Sequence, residues 1–580
     1  MNESENLYAQ PYTVLDGCLC MQKITKQGEK YIPLCNFAPR IICEITVDDG
    51  TELTRRYLVS GTDGDGRTLP EVEVAAGELE RMEWMLNRWD ASLDIEVVPQ
   101  VEKHIRHAMK STAKFAAKKS VFAHTGWKEI GGVWEYLMPG GKQDVRLHGK
   151  QQSYFLAASD DNTCTHLISL LRGECIPAEI AYPCLALVFL SPLNEFLHRI
   201  GHEPKFILTL LGRTGSMKST VAALMLSFFG SFSATDLPMS FRDTANSIIH
   251  NAFALKDVLT CVDDYHPCSR RENENMKTIM QSLARGYGDR AARNRMSPEI
   301  TLREARPPQG NVIVTAEFAP DIGESGTARL FCIEMKPKQI ELEKLTELQE
   351  AAASGALTQI LSAYIEWLKQ THLCDAETFM RSLNEIYQRE RTAWRNRLKD
   401  NRILFHDRIP DTLACLQIGF DTMISFLLTH LALIDSQVTE MKHQYESILL
   451  AHAAKQSEAV EEDRPTHIFV RKFMALIECG QAVVIPESGD SAVLPGGCLG
   501  FENDEYYLLF FDLTQRAVKK LCDDLGEGFT ISTKALGKAL AEEGFIHADG
   551  GENTRSKKIG GKSRRVLMLR KDKVRELMGE

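Results

Sequence analysis

Phe206-Ile-Leu-Thr-Leu-Leu-Gly-Arg-Thr-Gly-Ser-Met-Lys-Ser-Thr220 joins an apolar run to a glycine-bearing turn, and an apolar helical pattern follows it as far as Gly230. A strand, a tight loop, a Lys-Ser pair and a helix in this order are typical of a phosphate-binding loop. The stretch therefore predicts a nucleotide site. The residues expected to contact the nucleotide are Gly212, Thr214, Gly215, Ser216, Met217, Lys218, Ser219 and Thr220.

The helix N-terminus in this stretch offers unpaired N–H groups and the positive end of a helix dipole, and both favour an anion. Lys218 would reach the β- and γ-phosphates of ATP, and Ser219 would place its hydroxyl on Mg²⁺. One position departs from the usual G-x-x-x-x-G-K-[ST] pattern. Met217 stands where the second glycine is expected, and Gly215 lies two residues early. The nucleotide site therefore needs support from residues further along the chain.

Two carboxylates, Asp263 and Asp264, end an apolar stretch that predicts a buried strand. A nucleotide-bound Mg²⁺ needs one carboxylate, usually through water, because it keeps much of its hydration shell. We expect Asp263 in that role and Asp264 as the group that orients the attacking water. Most ATPases of this type have Glu at the second position, so Asp264 requires a closer water or slower hydrolysis. The alternative is a solvated Asp-Asp turn.

Three further residues are candidates for contact with the γ-phosphate. Thr315 ends the next apolar strand, where this class of ATPase has a polar sensor, although Thr is also an ordinary strand residue. Arg329 follows the small-residue turn Ser325-Gly-Thr-Ala. It is expected to be an arginine finger that acts on a neighbouring subunit's phosphoryl group, and the alternative is a surface arginine. Arg408 begins a helix and is a candidate for a second arginine that reads the γ-phosphate from a lid.

An arginine-dense segment precedes the Thr315 strand. The chain has a net charge of −11, but this segment has more positive than negative side chains. We expect a hairpin in the central pore of a ring, where arginines would hold backbone phosphates without reading sequence. The alternative is contact with a neighbour's nucleotide or a subunit interface. The arginines are Arg285, Arg290, Arg293, Arg295, Arg303 and Arg306.

The C-terminal residues are more basic still. The order helix, turn, strand, basic loop and strand is typical of a winged helix, with Ser532 as the N-cap and Gly544 as the helix stop. Such a module contacts DNA phosphates through its wing while its helix lies in the major groove. The alternative is a winged helix that contacts protein. The residues expected to contact DNA are Lys534, Lys538, Arg555, Lys557, Lys558, Lys562, Arg564 and Arg565.

The composition limits the class of protein. The chain has 580 residues, of which 44% are hydrophobic and 25% charged, as in a globular protein of several domains. The 15 cysteines have no zinc-type spacing, which argues against a zinc module or a disulfide framework. The first residues, MNESENLYAQ, are unlike a signal peptide. The longest apolar run, 180–193, contains Pro183 and Pro192 and is too short to span a bilayer. We expect a cytoplasmic protein without membrane contacts.

Hydrophobic periodicity predicts a multidomain α/β chain. Residues 1–160 are expected to form a β-rich N-terminal domain, and residues 161–337 a P-loop ATPase core with a parallel sheet. Residues 338–456 are expected to form a helical lid or bundle. An acidic linker, 457–465, would then lead to a C-terminal winged-helix domain at 466–580.

Several of these motifs together resemble one family. They are the aromatic hairpin HTGWKEIGGVWEYLMPGG, the loop GRTGSMKST, the strands VLTCVDDY and VIVTAE, and the winged-helix tail. The family is the domain-of-unknown-function group of mobile-element AAA+ ATPases, similar to MCM-type replicative helicases of cassette chromosome elements. The resemblance extends over nearly the whole chain. By motif position it assigns roles to Lys218, Ser219, Asp263, Asp264 and Arg329, while Met217 and the Asp at position 264 depart from the pattern.

The resemblance implies a hexameric ring that uses ATP and Mg²⁺ to move on single-stranded DNA, unwind forked duplexes and replicate a mobile element, alongside a primase or initiator of that element. The sequence thus predicts an ATP-dependent DNA helicase or translocase. The rival hypothesis is an ATP-switched DNA-binding initiator or regulator that does not unwind DNA, which slow hydrolysis at Asp264 would suit. A defence or signalling ATPase has no support, because the sequence contains no nuclease or sensor motif.

Overall fold

The computed structural model describes residues 7–26, 28–158, 165–291, 295–296, 302–303, 305–430, 435–488, 494–525, 527–547, 552–559 and 561–579. The chain forms two compact units, Met1–Leu156 and Ala157–Glu580. The finer division of the second unit into an ATPase core, a helical lid and a C-terminal domain stays a prediction.

The first unit is rich in strands, as the alternating apolar patterns predict. Its strands are β1 Tyr12–Leu15, β2 Cys18–Thr25, β3 Gly28–Cys35, β4 Phe37–Asp48, β5 Leu53–Asp63, β6 Thr68–Ala75, β7 Ala117–Phe122, β8 Gly126–Ile130 and β9 Val133–Leu137. One antiparallel sheet has the order β1-β2-β3, and a second has the order β6-β5-β4-β7, with β7 parallel to β4. Strands β8 and β9 form the hairpin expected around Gly131 and Gly132.

The helices of the first unit are short. They are α1 Ala76–Leu79, α2 Trp84–Arg88 and α3 Val101–Thr112, with 3₁₀ turns at Ala113–Phe115 and Gly149–Ser153. A helix with a basic face is predicted over residues 101–119, but α3 ends at Thr112, whose Oγ1 accepts a hydrogen bond from the Ile41 N–H at 3.0 Å. The chain then joins β4 as β7. Lys114 and Lys118 therefore lie outside the helix, and the prediction of one continuous basic face is wrong.

The second unit contains a five-stranded parallel sheet. Its strands are β10 Ile207–Leu211, β11 Met239–Ser240, β12 Leu259–Tyr265, β15 Asn311–Ala316 and β16 Leu330–Glu334, and a separate antiparallel pair consists of β13 Arg295–Met296 and β14 Leu302–Arg303. The sheet has the order β11-β12-β15-β10-β16. The side chains of β15 are buried along its whole length, as in parallel sheets covered on both faces. The predicted α/β layer with a parallel sheet is confirmed.

Helices precede and connect these strands. They are α4 Thr165–Leu171, α5 Ala178–Leu190, α6 Asn194–Arg199, α7 Lys218–Leu226, α8 Ala245–Ala254, α9 Arg270–Gly288 and α10 Glu324–Thr327, with a 3₁₀ turn at Ser191–Leu193. Side-chain caps explain where two of them begin. The Oγ1 of Thr244 accepts from the Ser247 N–H at 3.2 Å at the start of α8, and the Oγ of Ser269 accepts from the Glu272 N–H at 3.3 Å at the start of α9.

The parallel sheet has two chemically different edges. Its carboxyl edge carries the loop after β10 and the carboxylates that end β12. Its amino edge carries Arg329, whose carbonyl accepts a hydrogen bond from the Ile207 N–H at 2.9 Å just before β16 begins. Helix α9 returns the chain from the carboxyl end of β12 to the amino edge, where Asp289 follows it. This topology separates the candidate residues at the carboxyl edge from Arg329 at the amino edge.

A helical region follows the sheet, as predicted. It contains α11 Leu342–Ala353, α12 Ala356–Thr371, α13 Ala376–Asp400, α14 Arg408–His430 and α15 Asp435–Glu462, with a 3₁₀ turn at Leu373–Asp375. By length and composition, the helical stretches Ala178–Arg199 and Arg408–His430 could cross a membrane. Both are packed inside the unit, with 94% and 67% of their apolar windows buried, which is how helices of a protein core behave.

The C-terminal part contains α16 Pro465–Glu478, β17 Val483–Pro486, β18 Cys498–Glu502, β19 Tyr506–Leu509, α17 Phe511–Leu525, α18 Thr533–Glu542, β20 Arg555–Ile559, β21 Lys562–Arg570 and α19 Lys571–Met578. Its strands form one sheet in the order β17-β18-β19-β21-β20. Ser532 caps α18 by accepting from the Ala535 N–H at 3.3 Å, and Gly544 has the positive φ of a helix stop, 77°. Both predicted helix boundaries are confirmed.

The segment 457–465 is not the predicted linker. It forms the last turns of α15 and the first residue of α16. Two of its acidic residues have partners, since Asp463 accepts a hydrogen bond from Thr327 Oγ1 at 2.5 Å and Glu461 pairs with Arg464 at 2.6 Å. Burial raises the pKa of Asp463. The acidic composition does not reveal this packing, because Thr327, the partner of Asp463, lies 136 positions away in the chain.

Candidate active site

The loop between β10 and α7 is the segment predicted to bind phosphate, and two of its residues have positive φ. Met217 lies directly before α7 and has a left-handed conformation, with φ 63° and ψ 28°. Gly215 also has a positive φ, 85°. A side chain in this conformation costs roughly 1–2 kcal/mol, which explains why glycine is usual at the position of Met217. The loop therefore keeps the expected turn with an unfavourable residue.

Two polar side chains of this loop point to an anion. The Nζ of Lys218 donates to the carbonyl of Gly212 at 2.5 Å. Burial lowers the pKa of Lys218, while the nearby carboxylates of Glu317, Asp263 and Asp264 act in the opposite direction. Within the described part of the chain, the buried hydroxyl of Ser216 has no hydrogen-bond partner. A phosphate at the N-terminus of α7 would supply an acceptor for both groups.

Ser219, Asp263 and Thr315 form one hydrogen-bonded cluster. Asp263 Oδ1 accepts from Ser219 Oγ at 2.7 Å and from Thr315 Oγ1 at 2.6 Å. The pair Ser219 and Asp263 fits Mg²⁺, because a loop hydroxyl and a strand-end carboxylate are the protein groups that hold this ion in P-loop enzymes. Consistent with so sparse a ligand set, no group of three or more His, Cys, Asp or Glu residues in the described ranges could hold a metal ion by itself.

Thr315 contacts both strand-end carboxylate residues. Besides donating to Asp263, its Oγ1 accepts a hydrogen bond from the Asp264 N–H at 2.9 Å. A hydroxyl has a single proton to donate, and that of Thr315 is directed at Asp263. The predicted sensor thus ties β15 to the carboxylate pair. Any influence of Thr315 on the γ-phosphate would pass through these two residues.

Asp264 is turned away from Asp263 by a bulge in β12. The register with β15 shifts between Val262 and Tyr265, and Asp264 has φ 70°. Bulges next to active sites re-aim side chains. Asp264 Oδ2 lies 3.6 Å from the guanidinium of Arg242, and its side chain is 46% exposed. The two neighbouring carboxylates therefore point in different directions. Separate roles in holding the metal and in orienting the water require such an arrangement.

Glu317 is a site residue that the sequence-based assignment missed. It accepts a hydrogen bond from Thr214 Oγ1 in the loop, and its other oxygen lies 2.7 Å from His266 Nδ1. The hydrogen bond from Thr214 is the main cause that lowers the pKa of Glu317. Its place one residue after strand β15, two residues beyond Thr315, was the available signal. Glu317 adds a third carboxylate beside the loop.

Arg329 and Arg408 are brought together at the opposite edge of the sheet. The guanidinium of Arg329 donates from Nε and Nη2 to Asp289 at 3.1 and 2.9 Å. Arg408 Nη2 donates to the same carboxylate at 2.8 Å. The five residues of β10 separate this edge from the loop, roughly 17 Å at ~3.3 Å per residue. Within one chain, Arg408 therefore lies away from the loop that carries Lys218, and its expected contact with a γ-phosphate stays a prediction.

A cavity of about 740 Å³ opens beside Arg408. Its lining comes from the turn before β10 and from α13 and α14, and includes His202, Lys205, Arg391 and Arg395. It lies on the side of the arginines and not at the loop that carries Lys218. This cavity is therefore not where the chain's own loop would hold a nucleotide.

The arginine-dense segment is partly a hairpin, as expected. Strands β13 and β14 pair antiparallel, with Arg295 and Arg303 at partner positions. Arg285 is exposed on α9, and Arg306 lies over the ring of Phe253 at 5.4 Å. Arg293 and the side chains of Arg295 and Arg303 lie outside the described residues.

Arg290 has a structural role. Its guanidinium donates to the carbonyls of Pro204, Pro308 and Gly310 at 2.7–2.9 Å. Burial lowers the pKa of Arg290. The prediction that Arg290 contacts DNA is wrong, because its donors are directed at backbone acceptors inside the unit.

The C-terminal cations divide into two groups. Lys557 pairs with Glu487 at 2.6 Å, Arg565 pairs with Glu552 at 2.9 Å, and Arg564 lies over the ring of Phe501 at 5.3 Å. Other cations are exposed on α18 and on the hairpin of β20 and β21. They are Lys534, Lys558, Lys562 and Lys538, of which Lys538 also pairs with Glu542 at 3.4 Å, while Arg555 is half-buried on β20. The second group is the better candidate for DNA contact.

Parts of the chain are similar to known proteins. Residues 168–297 match the family model described as Domain of unknown function (DUF927). The fold is similar to that of "SCCmec type IV Cch - active helicase", with a TM-score of 0.59 and 13% identity over 99% of each chain. The apo C-terminal region of NrS-1 aligns with 91% of this chain and 96% of its own, at 10% identity and a TM-score of 0.29. No curated protein sequence matches.

These similarities confirm the resemblance noted from the motifs. The family match covers the loop and both strand-end carboxylates. The similarity of fold to the cassette-element helicase extends over nearly the full length of the chain.

Proposed function

We propose that this chain is an ATP-dependent DNA helicase or translocase that works as a ring, with each ATP site shared by two subunits. The observation that carries the proposal is the placement of Lys218 and Arg329 at opposite edges of one parallel sheet. An arginine finger must meet the γ-phosphate held by Lys218. One chain cannot bring the two together, whereas a head-to-tail arrangement would place Arg329 of one copy at Lys218 of the next. Such contacts form a ring when the rotation between copies closes.

Each residue of the shared site has a proposed task. Lys218 contacts the β- and γ-phosphates, and Ser219 and Asp263 hold Mg²⁺, which when bound neutralises charge on those phosphates. Asp264 orients the attacking water. Thr315 fixes the positions of Asp263 and Asp264. Arg329 and Arg408 stabilise transition-state charge on the neighbouring subunit's nucleotide.

Nucleic-acid contact is the second part of the proposal. The hairpin of β13 and β14 would hold phosphates of single-stranded DNA in the pore of the ring. The exposed lysines of α18 and of the β20–β21 hairpin would hold DNA outside it, in the manner of a winged helix. The fold shared with a cassette-element helicase supports the motor. The proposal includes an AAA+, MCM-like motor that replicates a mobile element in the cytoplasm, alongside a primase or initiator.

Strand displacement from a forked duplex tests the proposal. Wild-type protein with ATP and Mg²⁺ should separate the strands, and Lys218→Ala should abolish both ATP hydrolysis and separation. Particles imaged with a non-hydrolysable ATP analogue should be rings. Intact ATP hydrolysis without any strand separation by the wild type would contradict the motor.

The rival is an ATP-switched DNA-binding initiator or regulator. The aspartate at position 264 and the strained loop at Met217 favour it, since both are compatible with slow turnover. Footprinting separates the two functions. A switch protects one defined sequence, whereas a motor binds single strands with little preference and with a steep salt dependence.

A further inference from the structure

Asp289 joins the two arginines of the proposed shared site. Both carboxylate oxygens of Asp289 lie 2.9 Å from Arg329 Nη2, and Oδ1 also accepts from Arg408 Nη2 at 2.8 Å. Arg408 is fixed a second time, because its Nη1 donates to the Gly288 carbonyl at 2.7 Å. The contact between the Arg329 guanidinium and the Asp289 carboxylate has two points, and such a contact sets orientation as well as distance.

The packing around this cluster leaves Arg329 little freedom. Its side chain is only 14% exposed, and its Nη1 donates to Ser325 Oγ at 2.6 Å. A Cβ added at Gly288 would lie 2.4 Å from Arg329 Cδ. Because glycine has no side chain, the side chain of Arg329 fits beside position 288. Partial burial acts to raise the pKa of Asp289, but the hydrogen bonds from Arg329 and Arg408 outweigh it and the pKa is lowered.

The charges of the cluster do not cancel. Two guanidinium groups share one carboxylate, so one positive charge remains to attract an anion. Both arginines come from elements that are distant in sequence, the turn before β16 and the start of α14. Asp289, at the end of α9, is the group that holds them side by side.

We infer that Asp289 is a positioning residue that holds Arg329 and Arg408 in the geometry needed at the neighbouring subunit's ATP. This inference rests on the proposed shared site. Asp289 does not contact the nucleotide, and its effect passes through the two arginines. A displacement of catalytic groups by about 1 Å can cost on the order of 10²-fold in rate.

Steady-state ATP hydrolysis by variants of the full chain tests the inference. Asp289→Ala should lower kcat by roughly 10- to 100-fold, with little change in the KM for ATP because the chain's own loop is intact. Asp289→Glu should retain more activity than Asp289→Ala. Asp407→Ala is the matched control, since Asp407 adjoins Arg408 in sequence but pairs with Arg395 at 3.4 Å and is 90% exposed. It should behave as wild type.

Mixtures of two inactive variants show which half of the shared site each substitution affects. Lys218→Ala lacks a working loop but keeps its arginines, so mixing it with Arg329→Ala should restore activity at the interfaces that combine the intact halves. Mixing Lys218→Ala with Asp289→Ala should restore activity in the same way. A mixture of Arg329→Ala and Asp289→Ala should stay inactive, because both defects lie on the same half of the site.

The outcomes separate the two proposals. If Lys218→Ala and Arg329→Ala do not complement each other, the shared site itself is contradicted. If they do, but Asp289→Ala has wild-type kcat or fails to complement Lys218→Ala, only the role of Asp289 is overturned. Should Asp289→Ala not fold, Asp289→Asn, which keeps the shape of the side chain, is used in the same mixtures.

Discussion

Ser219 Oγ donates a hydrogen bond to Asp263 Oδ1 at 2.7 Å, although the two residues are 44 positions apart. The contact brings the first residues of α7 to the end of β12. A hydroxyl and a carboxylate at this junction are suited to Mg²⁺. We therefore predict that substitutions of either residue change the Mg²⁺ dependence of ATP hydrolysis.

Asp263→Asn should weaken the affinity of the ATP complex for Mg²⁺ by roughly 10- to 100-fold, as expected for a residue that reaches the metal through water. Ser219→Ala should act in the same direction. Hydrolysis rates at fixed ATP and rising Mg²⁺ measure the effect. Ser227→Ala is the control, because its hydroxyl donates to the Ala223 carbonyl at 2.8 Å in the same helical segment. Equal Mg²⁺ dependence in Asp263→Asn and wild type would contradict the metal assignment.

Asp264→Asn should lower kcat by at least roughly 10²-fold, because the neutral amide cannot draw a proton from the attacking water. Glu317→Gln should cost less, since the amide oxygen can still accept the hydrogen bond from Thr214. The kcat and KM for ATP of both variants measure this. A near-normal Asp264→Asn beside an inactive Glu317→Gln would transfer the water-orienting role to Glu317.

Thr315→Val keeps the shape of the side chain and removes the hydroxyl between Asp263 and Asp264. A hydrogen bond to a charged group is worth about 1.5–3 kcal/mol, so we expect kcat to fall roughly 10- to 100-fold. Thr260→Val on β12 is a matched control, because the buried hydroxyl of Thr260 has no hydrogen-bond partner among the described residues. If both variants have the same activity, the hydroxyl of Thr315 plays no part in the reaction.

Arg290→Ala should lower the free energy of unfolding, and its effect should not be limited to DNA binding. Removing the guanidinium leaves the Pro308 and Gly310 carbonyls without its hydrogen bonds, at a cost of roughly 3 kcal/mol or more. Arg285→Ala, at an exposed position on α9, should change stability by less than about 0.5 kcal/mol. Urea unfolding midpoints compare them. A wild-type midpoint for Arg290→Ala would show that its contacts contribute nothing to stability.

The pattern around Lys218 predicts the loop, and the apolar runs of the chain predict the strands and the carboxylates that end one of them, because each pattern involves residues close together in the chain. Glu317 and Asp289 were missed because their significance depends on contacts across the fold. Glu317 reaches Thr214, 103 positions away, and Asp289 reaches Arg408, 119 positions away. Arg290 was misassigned for the same reason, since a cation-rich segment cannot reveal which of its arginines turns inward.

Met217→Gly tests the backbone of the loop most directly. The change relieves a left-handed side chain that costs roughly 1–2 kcal/mol, and it adds chain entropy to the unfolded state worth roughly 0.5–1 kcal/mol. We therefore expect stability equal to the wild type or slightly higher, with ATP binding preserved. Binding of a fluorescent ATP analogue and the thermal unfolding midpoint measure the two quantities.

Two comparison variants sharpen this prediction. Met217→Val places a β-branched residue at φ 63°, where such residues are genuine outliers, and should weaken both stability and ATP binding. Gly215→Ala should do the same, because it puts a side chain at φ 85°. A complete loss of ATP binding in Met217→Gly would mean that the methionine side chain itself contacts the nucleotide, and the loop would then owe its function to more than its backbone turn.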